Sequence, residues 1–453
     1  MRRPLYLLVA GAVVLTAFLL FVVIPVAEKS ASSHYSFGFA DDYDLIARSL
    51  ANGQGYRVRA ELTETMMREP GYPLVLAGLF RLLGDGIEAA RLGNLLMCAA
   101  TALLLWHLAL RVTQDRAASF LAVVIFLLHP GTVVAEARGG VEILFMLGTM
   151  GFMLLLYRAV EADNAKSYLL AGAALGAVVL VRSTPLLFPL ALAPLLAWTG
   201  PPGAHGRRLA WSALLVAAMA LVMAPWVARN YALSGQIVPT ATVQGVAAQE
   251  GQYTCERLSF GRNFQALQKE AAQQRNRLAS QAGLRFVPDY YQYFYTAADE
   301  LAFNRALLQR TTERYREDPG LLGRCAAANL VHFWFLGKDG LATAVNVLVQ
   351  LPLLIAALAG MYILWRRRPA AAWAPVALFV AYVMAVHAPI IAHARHSVPL
   401  VPFVAIFAGT ALSAAWRRLH GARLRYRSLK LGTSIGSLRN ALPTRASGRA
   451  GGI

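Results

Sequence analysis

Long apolar runs recur through most of this chain, and short polar stretches separate them. A helix needs about 20 predominantly apolar residues to cross the hydrocarbon core of a bilayer. On this basis the sequence predicts an all-α, polytopic membrane protein with about ten transmembrane helices. The predicted spans are 5–26, 87–110, 117–135, 141–157, 167–181, 184–198, 209–228, 341–364, 371–391 and 397–416.

The composition agrees with a membrane protein. Only 15% of the residues are charged and 57% are hydrophobic, whereas a soluble domain carries roughly 25% charged residues. The formal net charge of +19 does not indicate nucleic-acid binding, because the Lys and Arg residues form short clusters between apolar spans. We therefore expect the lipid bilayer, and not a nucleic acid, as a partner.

The first apolar run follows Arg2 and Arg3, which also resembles a signal peptide. Its length exceeds that of a typical signal-peptide core, and no clear cleavage site of small residues precedes the next acidic cluster. We expect it to be retained as the first transmembrane helix.

Basic clusters fix the expected orientation. With ten spans they all fall on one side, which the positive-inside rule makes cytoplasmic. This holds only if the apolar run at 70–84, too short to span, is an outer interfacial helix. In a bacterium this is the cytoplasmic (inner) membrane. The clusters are Arg2 and Arg3, Arg111 and Arg116, Arg158 and Lys166, Arg207 and Arg208, Arg366 to Arg368, and Arg417 and Arg418.

Four regions follow from these assignments. An N-terminal transmembrane module, 1–228, includes a first outer loop at 27–69 and the interfacial helix at 70–84. An outer segment, 229–340, carries two amphipathic helical patterns that flank a tyrosine-rich stretch at 290–295, which predicts a small helical cap. C-terminal transmembrane helices occupy 341–416, and a basic cytoplasmic tail occupies 417–453.

Cysteine usage leaves one alternative open. Cys98 lies in a predicted span, where core packing is expected. Cys255 and Cys325 both lie in the outer segment, on the oxidising side of a bacterial inner membrane. A disulfide between them is one of two states that the sequence allows.

Ionisable residues cluster at the outer ends of the spans, and the span middles hold almost none. That pattern argues against an ion or proton path, which needs such groups at mid-depth. It predicts a site at the outer membrane face. The residues are Asp41, Asp42, Asp44, Glu136, Arg138, Glu142, Arg182, Arg229, Arg395 and His396.

These residue types suit a lipid-linked phosphate substrate. A polyprenyl phosphate keeps its tail in the bilayer and its phosphate at the surface, where guanidinium groups bind phosphate bidentately. A nearby carboxylate, Asp41 or Asp42, would act as general base on an acceptor hydroxyl. The candidate phosphate ligands are Arg138, Arg182, Arg229 and Arg395.

Each of these residues also has a purely structural alternative. The aspartates would lie in a solvated loop and cap a helix that begins near Asp44. Arginines at span ends would lay their aliphatic stems along apolar surface and reach the interface. The histidines show no metal-ligand spacing. These alternatives cover Arg182 and Arg229 as anchors, Arg395 and His396 as interface residues, and Glu136 and Glu142 as local partners of Arg138.

In order along the chain, several short patterns resemble the GT-C superfamily of integral-membrane glycosyltransferases, of the protein O-mannosyltransferase and aminoarabinose-transferase type. Each pattern is weak alone, and their order and shared outward side carry the resemblance. The patterns are the aspartates before Tyr43, Ile46-Ala47-Arg48, Gly53-x-Gly55-Tyr56, Glu69-Pro70-Gly71-Tyr72-Pro73, Glu142-x-Leu144-Phe145, Gly172 to Arg182, Pro225-Trp226-x-x-Arg229-Asn230-Tyr231 and Arg395-His396-x-x-Pro399-Leu400.

The resemblance implies an inverting hexosyl- or pentosyltransferase that uses a polyprenyl-phosphate sugar donor on the outer side of the membrane. It implies catalysis by Asp41 or Asp42. Some members of the superfamily use a divalent metal and others do not, so a metal cofactor stays open. Phe39 stands where some members have Asp, and His396 where Tyr is common. The implied substrate-binding residues are Tyr43, Arg138, Glu142, Arg182, Arg229, Asn230, Arg395 and His396.

Two other classes of function remain as alternatives. A lipid-linked-saccharide transporter or flippase has similar hydropathy, but would show discontinuous helices or polar groups at the bilayer midplane. A non-catalytic assembly protein would not need the aspartate motif. The sequence specifies neither the sugar nor the acceptor, which is a glycan, a lipid or a protein hydroxyl.

Overall fold

A computed structural model of the chain describes residues 2–26, 38–258 and 263–419. The first part of the outer loop, at 27–37, and the predicted basic tail from 420 onward lie outside the described residues. Elsewhere the chain is almost entirely helical, as the apolar runs predict.

The described residues of the N-terminal half form ten helices. They are α1 (Arg2–Phe18, continued by a π-helical turn at Leu19–Val23), α2 (Tyr43–Ala51), α3 (Gly71–Leu83), α4 (Ile87–Thr113), α5 (Arg116–Leu128), α6 (Pro130–Ala137), α7 (Glu142–Ala162), α8 (Ala165–Val181), α9 (Phe188–Trp198) and α10 (His205–Ser234).

The outer segment and the C-terminal part follow. Their elements are α11 (Gln244–Arg257), α12 (Phe264–Gln281), β1 (Phe286–Val287), β2 (Tyr293–Phe294), α13 (Ala297–Glu317), α14 (Pro319–Phe335), α15 (Gly340–Arg367), α16 (Ala370–His387), a 3₁₀ helix (Ala394–Leu400) and α17 (401–419).

The chain is an integral, multi-pass membrane protein. Within the described residues, seven helices are long and apolar enough to cross a membrane, or eight if α5 and α6 form one bent span. The predicted spans 5 and 6 correspond to α8, with 17 residues, and α9, with 11. At about 1.5 Å of rise per residue, α9 is too short to cross the hydrocarbon core alone. The count of ten spans therefore stays a prediction.

The predicted span at 117–135 is divided into two helices in the structure. It is broken at His129, where α5 and α6 meet at an angle of 50°. Pro130 lacks a backbone N–H and cannot continue a helix from α5. The N–H of Gly131 donates instead to Nδ1 of His129 at 3.1 Å, so His129 caps a new helix.

Helices α8 and α10 pack at very short range. A Cβ atom added to Gly172 would lie 2.1 Å from the carbonyl oxygen of Leu215, and one added to Gly176 would lie 2.7 Å from that of Met219. Residues four apart lie on one face of a helix, and small residues there let helix backbones approach closely. This contact sets the position of Arg182, which follows the last residue of α8.

The outer segment forms the predicted small helical cap and adds an antiparallel hairpin, in which Val287 pairs with Tyr293. The disulfide that the sequence left open is present: Cys255 and Cys325 join α11 to α14, with their Cα atoms 5.7 Å apart. Such a bond persists in an oxidising compartment.

Glu300 attaches this segment to the first outer loop. Its buried carboxylate accepts hydrogen bonds from the Thr65 hydroxyl at 2.8 Å, the Met66 N–H at 2.9 Å and the Thr242 hydroxyl at 2.5 Å. A buried carboxylate needs such donors, because its desolvation is costly without them. The hairpin is thereby held over the loop that carries the aspartates.

The Gly172→Ala variant tests the close packing of α8. Its new methyl group meets the Leu215 carbonyl, so the two helices must separate; we expect the midpoint of thermal unfolding in detergent to fall by several degrees. The matched control is Gly151→Ala in α7, where the added Cβ has no neighbour within 4 Å. Alanine there favours the helix, so we expect an unchanged or higher midpoint. Equal midpoints for the two variants would contradict this packing.

Candidate active site

Asp41 and Asp42 form a strained turn just before α2. Their φ angles are +62° and +59°, in the left-handed region that side chains other than Gly, Asn and Asp rarely adopt. Asp42 makes no side-chain capping hydrogen bond, so the capped, solvated loop of the structural alternative is wrong. Both carboxylates are half-buried and point to partners elsewhere in the chain.

A short backbone pairing supports this turn. Phe39 and Gly139 form a parallel bridge, and the N–H of Ala40 donates to the Gly139 carbonyl at 3.4 Å. A Cβ atom at position 139 would lie 2.2 Å from the Phe39 ring. Only glycine allows this approach, which places the aspartates beside the outer end of α6.

Two buried side chains of α4 hold that end of α6. The side-chain N–H₂ group of Asn94 donates to the carbonyls of Glu136 at 3.2 Å and Arg138 at 2.8 Å. Nε of Arg91 donates to the Ala137 carbonyl at 3.1 Å. The last carbonyls of a helix have no partner within the helix, and these side chains supply one. They fix where Arg138 leaves the helix.

Arg395 links three distant parts of the chain. Its Nη2 donates to Oδ2 of Asp41 at 2.6 Å and its Nε to Oε1 of Glu142 at 2.5 Å. Glu142 begins α7, where the helix dipole favours a negative charge. One guanidinium thus fixes the first outer loop, α7 and the 3₁₀ helix at one point.

Asp41 is the fully partnered aspartate. The Tyr291 hydroxyl donates to its Oδ1 at 3.0 Å. Nε of Arg68 donates to the Asp41 backbone carbonyl at 3.1 Å, and the Arg68 guanidinium lies 4.3 Å from the centre of the Tyr291 ring. Burial acts to raise the pKa of Asp41, but the charges of Arg395 and Arg68 hold that pKa well below its usual value. Asp41 therefore stays ionised.

Asp42 is in a different environment. It accepts a hydrogen bond from the Tyr293 hydroxyl, and within the described residues no cation lies within 4 Å of its carboxylate. Burial raises its pKa above the usual value, although Tyr293 and Arg68 act in the opposite direction. The two adjacent carboxylates thus differ in pKa, as is typical of sites in which neighbouring carboxylates have different roles.

Two of the four predicted phosphate ligands make no direct ion pair with a carboxylate in the described residues. Neither Arg138 nor Arg182 has a carboxylate within 4 Å among the described residues. Arg182 instead lies 5.9 Å from the centre of the Phe145 ring. Arg138 is close enough to Arg395, Glu142 and Asp41 to interact with their charges. Their predicted role as phosphate ligands stays a prediction.

Arg229 and Asn230 connect α10 to the first outer loop. Arg229 bonds Oε2 of Glu64 at 3.1 Å and the Thr65 carbonyl at 2.8 Å. The buried Asn230 donates to the Val238 carbonyl at 3.0 Å. In the described part of the chain no contact joins either residue to the aspartates, so their substrate-binding role stays a prediction.

Three histidines stack beside Arg182. The ring centre of His396 lies 4.3 Å from that of His393 and 4.8 Å from that of His387. Burial, together with the charge of Arg395, lowers the pKa of His393 to about 3, so this ring is neutral at pH 7. Within the described residues, no group of three or more His, Cys, Asp or Glu side chains is placed to hold a metal ion.

Sequence reasoning missed the residues that position the aspartates although they lie elsewhere in the chain. Arg68, Tyr291 and Tyr293 contact them directly, and Arg91 and Asn94 were counted as parts of a membrane span. The tyrosine-rich stretch was visible, but nothing in its spacing indicates that it meets a turn about 250 residues earlier. The predicted Tyr43 is buried and packs edge-on against Tyr72 at 5.2 Å.

The Asn94→Leu variant tests the support of α6. It leaves buried carbonyl groups without donors, which costs about 1–3 kcal/mol; we expect a lower unfolding midpoint in detergent. The control is Thr101→Val on the same helix, because Thr101 is equally buried but bonds only the Met97 carbonyl of its own helix, at 2.7 Å. If Asn94→Leu is no less stable than Thr101→Val, the α6 carbonyls do not depend on Asn94.

The comparisons with known proteins bear on this arrangement. Residues 68–228 match the family described as dolichyl-phosphate-mannose-protein mannosyltransferase. This segment is somewhat more than a third of the chain. No curated protein matches the sequence.

Several solved structures are similar. The oligosaccharyltransferase of Archaeoglobus fulgidus, tethered to an acceptor peptide, has a TM-score of 0.54 at 12% identity, over 92% of this chain and 50% of that one. ArnT of Cupriavidus metallidurans, bound to undecaprenyl phosphate, has a TM-score of 0.39 at 16% identity, over 89% of this chain and 78% of that one. The chain thus shares the fold of the oligosaccharyltransferase and spans about half of its length.

Proposed function

We propose that this chain is a member of the GT-C superfamily of integral-membrane glycosyltransferases and transfers a sugar from a polyprenyl-phosphate-linked donor to an acceptor hydroxyl on the outer side of the membrane. The family description over 68–228 names a lipid-phosphate sugar donor. The observation that carries the proposal is that one site contains both guanidinium groups without carboxylate partners and a carboxylate of raised pKa. Arg138 and Arg182 have no carboxylate within 4 Å among the described residues. The charge of Arg138 interacts with that of Asp41, and the adjacent Asp42 has a raised pKa.

Asp42 is the general base in this proposal, and Asp41 is a fixed structural charge. The acceptor oxygen attacks C1 of the sugar while the Asp42 carboxylate takes the hydroxyl proton. The bond between C1 and the phosphate oxygen breaks, and its electron pair leaves with the lipid phosphate. Attack opposite to the leaving group inverts the anomeric centre. Asp41 is unsuited to take the proton, because Arg395 holds it ionised at low pKa.

Arg182 and Arg138 are the proposed ligands of the donor phosphate. A guanidinium without a carboxylate partner gains most from an incoming phosphate, because no existing ion pair has to break. His396 adds a donor. The His393 backbone N–H donates to Nδ1 of His396 at 3.3 Å, so Nε2 carries the hydrogen in the neutral ring. The lipid tail would remain in the bilayer.

The proposed location is the cytoplasmic membrane of a bacterium, with the site facing outward. The Cys255–Cys325 disulfide supports this, because it lies in the outer segment and such bonds persist where the compartment is oxidising. The basic clusters on the opposite ends of the helices support the same orientation.

A transporter or flippase of lipid-linked saccharides is the second candidate. One observation favours it: the break at His129, with its 50° bend, because discontinuous helices are a feature of transport sites. The proposed general base at the outer face, Asp42, has no part in transport. An activity assay therefore separates the two candidates.

The Asp42→Asn variant tests the base. The full-length protein in liposomes would be supplied with a panel of labelled polyprenyl-phosphate sugars and acceptor hydroxyls, and sugar transfer measured. We expect a loss of about 10²–10⁴-fold, because the amide cannot accept the proton. The Asp85→Asn variant is the control, since this exposed carboxylate only pairs with Arg48. We expect it to match the wild type.

The Asp41→Asn variant completes this test. It leaves Arg395 paired with Glu142 alone, so we expect a lower unfolding midpoint and a smaller loss of transfer than for Asp42→Asn. A greater loss in Asp41→Asn at equal folded amount would assign the base to Asp41. If no donor is turned over, and both variants support growth like the wild type, the transporter takes first place.

The pH dependence of transfer gives an independent test. The raised pKa of Asp42 means that its carboxylate is protonated at a higher pH than a free aspartate, whose pKa is 3.8. Catalysis requires the ionised form, so activity should be full at high pH and fall as pH drops through a value above 3.8. Asp41 stays ionised in that range and adds no step. A pH profile in which activity stays level down to pH 3.8 would argue against Asp42.

A further inference from the structure

Tyr293 occupies the hydrogen-bonding position that an acceptor hydroxyl needs. Its phenol O–H donates to Oδ2 of Asp42, and the side chain is only 4% exposed. An acceptor hydroxyl must donate the same kind of bond to the base before it loses its proton. The phenol therefore stands in for the acceptor when none is bound.

The phenol is a poor reactant in that position. Burial and the neighbouring charge of Asp42 raise the pKa of Tyr293 far above its usual value, so the phenol keeps its proton. A group that donates a hydrogen bond without giving up its proton occupies the base and produces no nucleophile. A water molecule at the same position would be activated.

The hairpin that delivers Tyr293 is short and depends on its anchor. Each strand has two residues, and a hairpin of this size is not stable by itself. Arg275, fully buried in α12, donates to the Tyr290 carbonyl at 3.1 Å and to Oε1 of Gln249 at 3.0 Å. The Tyr290 hydroxyl donates to Oε2 of Glu250 at 2.8 Å. The position of the phenol over Asp42 is thus set by the outer segment.

Tyr291 and Tyr293 donate hydrogen bonds to different aspartates. Tyr291 bonds Asp41, which Arg395 also fixes, so its removal would weaken a structural ion pair. Tyr293 bonds Asp42, which has no cation within 4 Å among the described residues. The ring of Tyr293 packs in a cluster with Tyr56 and Trp226, so Tyr293→Phe removes the hydroxyl and keeps the packing.

We propose that Tyr293 decides between transfer and hydrolysis: its hydroxyl covers the base until an acceptor hydroxyl displaces it. This inference rests on the proposed function. Without the cover, a water oxygen would attack C1 of the donor sugar and its proton would pass to Asp42. The C1–O bond to the phosphate would break, releasing free sugar and lipid phosphate. With an acceptor bound, the same steps give the transfer product.

The experiment compares Tyr293→Phe with the wild type, both full-length and in liposomes with a labelled polyprenyl-phosphate sugar. Free sugar is measured without acceptor, and product with acceptor. We expect at least a fivefold rise in hydrolysis, transfer at saturating acceptor within about threefold of the wild type, and a lower KM for the acceptor. Because the Tyr293 hydrogen bond lowers the pKa of Asp42, the acid limb of the pH profile should move to higher pH.

Two variants serve as references. Tyr295→Phe alters the same stretch without any hydrogen bond to the aspartates, and should match the wild type in hydrolysis and transfer. Tyr291→Phe loosens Asp41, and should lower both reactions together. Unfolding midpoints of all variants confirm that equal amounts of folded protein are compared.

The outcomes separate the inference from its premise. If Tyr293→Phe lowers hydrolysis and transfer by the same factor, Tyr293 orients Asp42 and the inference is wrong. Unchanged hydrolysis together with an unchanged acceptor KM also overturns it. If the wild type releases no lipid phosphate from any donor, with or without acceptor, the proposed function itself fails and the inference falls with it.

Discussion

The bridge from Arg395 to Asp41 and Glu142 is the contact on which the rest of the site depends. It joins residues 354 and 253 positions apart in the chain, and each carboxylate is bound by a different nitrogen of one guanidinium. A half-buried ion pair is costly to desolvate, and loss of one partner leaves a charge without compensation. The bridge thus holds the first outer loop, α7 and the 3₁₀ helix in a single arrangement. The strained backbone at Asp41 and Asp42 persists because these contacts constrain it.

The same bridge explains why adjacent carboxylates differ in chemistry. Arg395 neutralises Asp41 and leaves Asp42 with one neutral donor, Tyr293. Arg395 also pairs with Glu142. In the described part of the chain, Arg138 and Arg182 therefore have no carboxylate within 4 Å. Under the proposed function, these two charges would bind the donor phosphate and Asp42 would act as base. The pairing of Asp41 and the difference in pKa between the two aspartates both follow from one contact.

Sequence patterns predicted the helices, the outer cap and the pool of ionisable residues, because these depend on local composition. They did not predict which residues pair. Asp41, Glu142 and Arg395 were each identified, yet Arg395 was assigned to phosphate because no local signal shows that two carboxylates reach it. The break at His129 was missed although Pro130 was visible, since an apolar run reads the same whether or not a proline divides it. Tyr293 lay outside the prediction because tertiary docking through Glu300 brings it to Asp42.

The family match covers some of the residues of the site and excludes others. Residues 68–228 include Arg138 and Arg182, the proposed ligands of the donor phosphate, and Glu142, the partner of Arg395. They exclude the aspartates, Tyr293 and Arg395. Under the proposed function, the match covers two of the proposed phosphate ligands, whereas the proposed base lies outside it. The aspartates and Tyr293 come from the first outer loop and the outer segment, which Glu300 fastens together. Under the proposed function, specificity for the acceptor depends on how these two segments dock, and the helices between them supply the frame.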